Sequence, residues 1–453
     1  MSSSTVPILS RLSYPMSAWR CRLALCFLVL CCVAGPGWSQ EPVSSTARLV
    51  KGTRFDGSLS RFDGDRFHFD VSGQERVVAL PELLLWGRTA EVRKPVTQGG
   101  YLLLTDGGLI AGEVTAITAE HVQFESLRRP GLWTSNRLPR TAVRAIVYQA
   151  SASAAVREQF EAKLLAASET HDRLLLSDGD SLTGALLAAA AAPDTSETTA
   201  ASVLRFLPPG AKEPLAIAQE RIVAVVLGGR AVARAAEPKS MPPNSFWLGL
   251  ADGSLILANS CQLEDATVTI TLKSGASLTA KATDSEVEPP ETFWNRVVFV
   301  QPLSANVVYL SDLKTIGFKH VPLLDWQQEY ANDRSVTHSR LRVAGERSVK
   351  GIGMPATSRL AYEIPPGAKQ FEAEIALDDA AGRQGSVIFR VFLEGSGGVW
   401  KPAFESSTLR GGDPAQSVRV PLGTASRLAL VVDMADRGDQ CDWANWLNAR
   451  FVK

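Results

Sequence analysis

The chain has 453 residues, of which 47 are basic, 47 are acidic and 45% are hydrophobic. A chain of this length exceeds what one hydrophobic core usually organises, so we expect two to four domains. The apolar content is that of a globular protein, and the balanced charge gives no electrostatic reason to expect nucleic acid or an anionic membrane as a partner.

The first 39 residues have the pattern of a secretory signal peptide. Arg20 and Arg22 precede an apolar run from Leu23 to Ala34, and small residues lead to an expected cleavage after Ser39. The run is shorter than the about 20 apolar residues of a spanning helix, so we expect no membrane span after cleavage; an uncleaved N-terminal anchor is the alternative. The predicted location is secreted, periplasmic or in the cell envelope.

Two cysteines, Cys261 and Cys441, remain after such a cleavage. A single pair is not a disulfide scaffold. The two could bridge in an oxidising compartment, but no sequence pattern brings them together. A disulfide and two free thiols both stay open as interpretations.

A repeat follows the signal segment. Three copies share an apolar run, an Asp-Gly pair and a second apolar stretch, and Asp106, Asp178 and Asp252 are spaced by 72 and 74 residues. In a weaker, earlier copy, Lys51-Gly52 takes the Asp-Gly place. Because Asp-Gly tolerates the positive φ of a hairpin turn, each copy is expected to contain a hairpin. Four or five short strands per copy predict a small SH3-like or Sm-like barrel.

The domain boundaries predicted from this repeat run in chain order. They are two repeats in 45–150, an amphipathic helical connector in 151–170, a third repeat in 171–232, a linker in 233–245 and a fourth repeat in 246–308.

The third copy contains the letters GDSL around Ser181, the signature of a class of serine esterases and lipases. In the repeat, Ser181 takes the position of Leu109 and Leu255. That esterase class also carries an Asp-x-x-His near its C-terminus, and neither His320 nor His338 has Asp three residues before it. A G-x-S-x-G elbow is also missing from the sequence. We therefore interpret GDSL as a turn, and a hydrolase as the least favoured function.

The last third of the chain contains Lys350-Gly351-Ile352-Gly353, Asp378-Asp379 and Asp442-Trp443-Ala444 in that order. In these pieces and their order it resembles the NPCBM family of carbohydrate-binding modules. The resemblance implies a galactose-binding-like jelly roll in residues 309–453, and the alternation of apolar and polar residues in FEAEIAL and RLALVVDM agrees with strands. Met354-Pro355 stands where the family usually has a histidine, and Gln440-Cys441 precedes the Asp-Trp pair where Asp-His is common. The matching pieces, in family order, are Tyr309–Leu313, Lys350–Gly353, Ser358, Tyr362, Asp378–Asp379 and Asp442–Ala444.

The residues predicted to bind ligand are Trp400, Asp378, Asp379, Asp442 and Trp446. Sugars are commonly recognised by an aromatic face together with carboxylates and amides. We expect Trp400 on a loop, because it follows Gly-Ser-Gly-Gly-Val, and we expect the neighbouring Trp of the Asp-Trp pair in the core.

Two alternatives to ligand binding stay open for the acidic residues. The Asp378-Asp379 pair is also typical of a turn whose carboxylate caps backbone amides. Both this pair and the series Asp433, Asp436, Asp439 and Asp442 could hold a structural calcium. We expect no other cofactor, since the five histidines show no metal-ligand spacing.

The predicted fold class is all-β, with tandem small SH3/Sm-like barrel repeats followed by a C-terminal β-sandwich of jelly-roll type. The predicted function is that of a secreted, non-catalytic carbohydrate-binding protein whose partner is a glycan or polysaccharide. The alternative is a scaffolding protein of the cell envelope that binds envelope proteins through its β repeats.

Overall fold

The computed structural model describes residues 45–88, 100–126, 133–134, 136–167, 170–187, 189–190, 203–228, 245–285, 290–324, 326–395, 397–436 and 438–453. The predicted signal peptide and nearly all of the predicted linker lie outside these ranges. Within them the protein is nearly all β, with one α-helix, α1 (Ala154–Ala166), which confirms the predicted all-β class. The closure of each repeat into a small SH3-like or Sm-like barrel stays a prediction. The described helices include none that is both long and apolar enough to cross a membrane.

Each of the four repeats begins with a two-strand hairpin and ends with a strand that returns beside the first one. The first repeat contains β1 (Ser45–Leu49), β2 (Arg54–Asp56), β3 (Ser58–Phe62), β4 (Arg66–Val71), β5 (Gln74–Ala79) and β6 (Leu83–Arg88). The second contains β7 (Tyr101–Leu104), β8 (Leu109–Ala111), β9 (Glu113–Ile117), β10 (His121–Glu125), β11 (Asn136–Pro139) and β12 (Val143–Val147).

The third and fourth repeats follow the same scheme. The third contains β13 (Asp172–Leu176), β14 (Ser181–Leu186), β15 (Ala189–Ala190), β16 (Val203–Leu207), β17 (Leu215–Ala218) and β18 (Ile222–Val226). The fourth contains β19 (Phe246–Leu250), β20 (Leu255–Glu264), β21 (Thr267–Leu272), β22 (Ser277–Lys281), β23 (Thr283–Asp284), β24 (Glu291–Thr292) and β25 (Val297–Pro302). A short 3-10 turn precedes the last strand of every repeat, at Leu80–Glu82, Arg140–Ala142, Gln219–Arg221 and Phe293–Arg296.

The Asp-Gly pairs occupy equivalent hairpin turns, as the spacing predicts. In each turn the Asp carboxylate accepts a hydrogen bond from the backbone N–H two residues later, at 2.9 Å for Asp106, 3.1 Å for Asp178 and 2.8 Å for Asp252. The glycine that follows each Asp has a φ of 86°, 93° or 96°, and Gly52 in the first repeat has 89°. These turns need a residue that tolerates positive φ, which explains why the sequence signal is visible.

The four repeats are not separate domains, because strands at their edges pair with one another. The final strands β6 and β25 are hydrogen-bonded to each other, as are β12 and β18, and β8 touches β20. One sheet therefore runs in the order β17-β16-β14-β13-β18-β12-β7-β8-β20-β19-β25-β6-β1-β2. A single apolar cluster includes buried residues from all four repeats, among them Phe67, Phe124, Phe206 and Phe246.

The C-terminal module is a sandwich of two sheets. Its strands are β26 (Val307–Tyr309), β27 (Gly317–His320), β28 (Ala331–Asn332), β29 (Leu341–Val343), β30 (Glu346–Ser348), β31 (Gly351–Pro355), β32 (Ser358–Glu363), β33 (Gln370–Leu377), β34 (Ser386–Glu394), β35 (Trp400–Glu405), β36 (Leu409–Arg410), β37 (Gln416–Pro421), β38 (Arg427–Met434) and β39 (Trp443–Val452). One sheet has the order β28-β31-β39-β33-β37, with β26 beside β39, and the other β27-β32-β38-β34-β35, with β36 beside β34.

Aromatic and aliphatic side chains fill the sandwich, as the alternating pattern predicts. Tyr362, Phe371, Phe389 and Phe451 are fully buried there. On the outer face of the β39 sheet, the β29–β30 hairpin forms a smaller apolar cluster with Leu447. Both faces of β39 are therefore covered.

The module is joined to the repeats through a shared strand and a shared core. β26 comes directly after the fourth repeat and pairs with β39, with Val307 opposite Val452. Trp247 and Phe299 of the fourth repeat lie in one apolar cluster with Tyr309 of the module. The predicted boundary at residue 309 thus falls at the end of a strand that belongs to the module's sheet.

Helix α1 packs on the repeats and also contacts the module. Ser153 caps its first turn by accepting from the Val156 N–H at 3.5 Å, and Leu164 is buried against the second repeat. Val156, which the helical spacing placed on the apolar face, is exposed. The reason is that Glu158 and Glu161, not further apolar residues, fill the rest of the buried face.

Glu158 binds the module directly. Its carboxylate accepts from the backbone N–H of Arg340 at 2.9 Å and from the Arg342 guanidinium at 2.7 Å, and lies 3.4 Å from Arg347 Nε. The Glu158 backbone carbonyl accepts from Arg334 at 3.0 Å. The helix predicted as a connector is therefore an ionic bridge between repeats and module.

Candidate functional site

Asp378 lies where β33 ends, and both oxygens of its carboxylate accept hydrogen bonds from other residues of the chain. One oxygen accepts from the Ala380 N–H at 3.0 Å, and the other accepts from the Arg342 N–H at 3.1 Å and from Asn445 Nδ2 at 2.8 Å. Burial raises the pKa of this carboxyl. The carboxylate caps a turn and ties β29 and β39 to β33, in agreement with the turn interpretation. A ligand-binding role of Asp378 stays a prediction.

Asp379 lies on the surface beside it and holds the tip of the β29–β30 hairpin. Its two carboxylate oxygens accept from the backbone N–H groups of Ala344 at 2.8 Å and Gly345 at 2.7 Å. Both residues have positive φ, 52° and 78°. The carboxylate thus stabilises a tight turn, which agrees with the turn interpretation of the Asp-Asp pair.

Asp442 lies at the same end of the sandwich, immediately before β39. Only 1% of the residue is exposed. One oxygen accepts from the Ser386 N–H at 2.7 Å, whereas the other oxygen, Oδ2, has no hydrogen-bond partner. Burial, together with the negative charges of Asp439 and Asp436, raises the pKa of Asp442 to about 7. The side chain is thus buried at the start of β39, and its predicted contact with sugar stays a prediction.

Both tryptophans of β39 are part of the packing of the sandwich core. Trp446, predicted to bind ligand, is fully buried, and its ring centroid lies 5.0 Å from that of Phe389 in an edge-to-face arrangement. Trp443, expected in the core, is half-buried. Trp446 lies in the sandwich core with Ala444, and Trp443 packs against the same core from a partly buried position. A fully buried indole cannot stack on a sugar from solvent.

Trp400 is exposed but lies at the other end of the sandwich. It is the first residue of β35 and pairs with Glu394 at the end of β34, and 38% of it is exposed. The start of β34, Ser386, binds Asp442. The eight steps between the nine residues of β34, at about 3.3 Å each, place the Cα atoms at its two ends about 26 Å apart. The predicted site residues therefore do not form one site; the role of Trp400 stays a prediction.

A loop that was not predicted as a site carries the most exposed aromatic residue of the described part of the chain. Trp326, between β27 and β28, is 78% exposed, and Val321, Leu323 and Leu324 before it are also exposed. The Leu323 N–H donates to Asp439 at 2.8 Å, which fixes this apolar loop at the Asp442 end of the sandwich. The available signal was a tryptophan outside any alternating strand pattern.

A buried histidine holds this apolar loop in place. His320 Nδ1 accepts from the Gln328 N–H at 3.0 Å, and His320 Nε2 lies 3.2 Å from the Ala356 carbonyl, to which it donates. This pair of bonds requires the neutral imidazole with its proton on Nε2. The ends of the loop are thus anchored while the Trp326 ring remains accessible.

The remaining acidic residues at this end have protein partners. Asp436 forms two hydrogen bonds with Arg410, at 3.0 and 2.6 Å, and Asp433 pairs with Arg390. Within the described ranges, no cluster of three or more His, Cys, Asp or Glu side chains has a geometry that could hold a metal ion.

Both cysteines that the sequence left open are free thiols. Cys261 is buried in the core of the repeats, and burial raises the pKa of its thiol to about 12. Cys441 is half-buried and donates to Gln384 at 3.4 Å.

The comparison with protein families identifies this sandwich. Residues 306–452 match the NPCBM/NEW2 domain, and this stretch is an NPCBM/NEW2 domain, which confirms the resemblance seen in the sequence. The match begins just before β26, in agreement with the shared strand.

Two curated proteins are similar to part of this chain. Alpha-1,3-galactosidase B of Akkermansia muciniphila is 32% identical over 119 residues, 25% of this chain and 14% of that protein. A relative from Renibacterium salmoninarum is 28% identical over 149 residues and is covered over only 9% of its length. The chain thus spans a small part of these curated relatives.

Some of the solved structures that are similar to part of this chain are carbohydrate-binding modules. CBM51 from Clostridium perfringens GH95, solved in complex with methyl-galactose, is 24% identical over 32% of this chain and 99% of that one, with a TM-score of 0.29. The tandem CBM51 modules of Sp3GH98 from Streptococcus pneumoniae are 14% identical over 78% of this chain and 87% of that one, also with a TM-score of 0.29.

Proposed function

We propose that this protein binds glycans through the apolar loop of its NPCBM/NEW2 domain and that it is not an enzyme. The observation that carries the proposal is the Trp326 indole, 78% exposed on a loop fixed by Asp439 and His320. An exposed indole on a fixed loop offers a flat apolar surface to a pyranose ring at little cost in ordering.

The polar groups for sugar hydroxyls lie on neighbouring loops. Arg410 and Asp436, paired on the surface, and Gln384 beside Cys441 belong to the same end of the sandwich as Asp442. A shallow site with one or two stacked rings buries little apolar area. A Kd in the micromolar to millimolar range, roughly −8 to −4 kcal/mol, is therefore expected.

The absence of catalysis is supported by the surroundings of Ser181. It is the first residue of β14 and pairs with Leu175 across the hairpin. Leu109 and Leu255 are likewise the first residues of β8 and β20. A serine at a repeated hairpin position needs no catalytic explanation.

The test is a glycan array with the mature chain, followed by calorimetry with the strongest neutral oligosaccharide. Trp326→Ala is expected to weaken binding by up to about tenfold, since a stacked aromatic is worth about 0.5–1.5 kcal/mol. Trp400→Ala tests the other end of the sandwich. Leu263→Ala, an exposed apolar residue of the fourth repeat, is the matched control.

The variants separate the outcomes. Loss of binding in Trp326→Ala alone supports the loop site. Loss in Trp400→Ala alone moves the site to the β35 end, and equal loss in the Leu263→Ala control contradicts specific recognition by the module.

A further inference from the structure

A cleft of about 740 Å³ lies between the repeats and the module. Thr46 and Arg54 of the first repeat and Gln301 of the fourth line one side. The β29–β30 hairpin, with Arg342 and Arg347, and Asn448 of β39 line the other. Because its walls come from distant parts of the chain, the cleft exists only where this module is docked on these repeats. Its volume is within the range of ligand sites in proteins, about 300–1,000 Å³.

The charged residues of the cleft form a repeated arrangement, in which one glutamate is shared by two arginines. Glu374 contacts Arg48 and lies 4.0 Å from Arg54. Glu158, behind the hairpin, contacts Arg342 and Arg347 at 2.7 and 3.4 Å.

A third trio lies in an adjoining small pocket that shares Arg48, Arg54 and Glu374 with the cleft. There Glu372 contacts Arg450 and lies 3.6 Å from Arg419. Arg450 is buried, and its Nε has no hydrogen-bond partner.

Each trio holds one more cation than anion. Among the described residues that line the cleft, four arginines (Arg48, Arg54, Arg342 and Arg347) stand against two glutamates (Glu346 and Glu374), so the cleft is positive within a chain of zero formal charge. Arg54 is the most accessible cation, with 60% of its side chain exposed and a distant contact to Glu374. Guanidinium groups present paired donors that match carboxylates and sulfates.

We infer that this cleft binds an anionic glycan, whose carboxylate or sulfate groups complete the arginine trios. The inference rests on the proposed glycan-binding function, since a carbohydrate-binding module forms one wall. The side chains of Thr46, Gln301, Ser348, Ser417 and Asn448 supply hydroxyls and amides suited to sugar hydroxyls between the charged groups.

The experiment measures binding of the mature chain to polygalacturonate and to dextran sulfate, with dextran as the neutral control. Polygalacturonate tests the carboxylate and dextran sulfate the sulfate ester. Arg54→Gln, which keeps hydrogen-bond donors but removes the charge, is expected to weaken binding of the preferred polyanion about tenfold or more. Arg419→Gln should weaken it as well, and added salt should weaken it for the wild type.

Arg205→Gln is the matched control, because Arg205 is exposed on β16 of the third repeat and lines neither the cleft nor the small pocket. Equal weakening in Arg205→Gln, or unchanged binding in the double variant Arg54→Gln/Arg419→Gln, overturns the inference. Poly-L-glutamate that binds as tightly with the same dependence on Arg54 overturns the glycan assignment in favour of an acidic peptide. Thermal melts of the variants should match the wild type, since Arg54 is mostly exposed.

The two proposals fail separately. If Arg54→Gln leaves polyanion binding intact while Trp326→Ala abolishes binding of a neutral oligosaccharide, the cleft inference is refuted and the loop site stands. If neither neutral nor anionic glycans bind, both are refuted.

Discussion

Replacing Glu158 by alanine should release the module from the repeats. Glu158 is 2% exposed and is the common partner of the Arg342 and Arg347 guanidiniums and the Arg340 N–H. Removing one member of a buried ionic cluster costs about 3–5 kcal/mol, because the remaining charges stay buried without a partner. The two guanidiniums retain some hydration, 19% and 22% exposed, so we expect about 3 kcal/mol.

The assay is thermal unfolding of the mature chain together with limited proteolysis. For a cooperative unit of about 400 residues, with an unfolding entropy of roughly 0.8 kcal/mol/K, about 3 kcal/mol lowers the Tm by roughly 3–4 °C. Lys163→Ala, exposed on the same helix, should change it by less than about 1 °C, and Glu158→Gln should lie between the two. New cleavage near α1 before global unfolding would show that the module undocks first. A Tm for Glu158→Ala equal to that of Lys163→Ala would refute the reasoning.

Three further predictions concern single side chains. Folding raises the pKa of Asp442 to about 7 from an ordinary value near 4, so the folded state holds a proton that the unfolded state has lost. The free energy of unfolding should therefore decrease by about 2–4 kcal/mol as the pH rises from about 4 to about 7. Asp442→Asn should remove this decrease in denaturant titrations, and a parallel pH profile for both proteins would contradict the assignment. Trp446→Ala should cost about 3–5 kcal/mol as a lost core aromatic, whereas Trp326→Ala should leave the Tm within about 1 °C; the reverse order in melts would contradict the assignment of core and surface. Purified protein should not hydrolyse short-chain p-nitrophenyl esters, and turnover that disappears only in Ser181→Ala would show that GDSL is catalytic after all.

Local chemistry made the repeats visible in the sequence. The Asp106, Asp178 and Asp252 turns depend on a capping carboxylate and a glycine at positive φ, and both are properties of adjacent residues. The joining of the repeats through β6, β12, β18 and β25 was not predictable, because it depends on which strand edges meet.

The roles of the tryptophans needed the three-dimensional structure. β39 is buried along almost its whole length, since the sandwich covers one face and the hairpin and repeats cover the other. A strand buried on both faces loses the alternating pattern that would assign Trp443 and Trp446 to their sides. The burial of Glu158 could not be predicted either, because a glutamate on a helix is usually exposed to solvent. Its arginine partners lie more than 180 residues away in the chain, so no local pattern indicates the pairing.

The pairing of β26 with β39 has a consequence for how this module can be moved between proteins. β26 follows β25 after only a few residues and precedes the rest of the sandwich, and it pairs with β39 at Arg450–Val452. A gene fragment that begins at residue 309 would encode a sandwich with an uncovered strand edge, which is a template for intermolecular pairing. Fusions that carry the fragment should therefore self-associate unless they begin before Val307, and a recombination breakpoint would be tolerated ahead of that strand but not behind it.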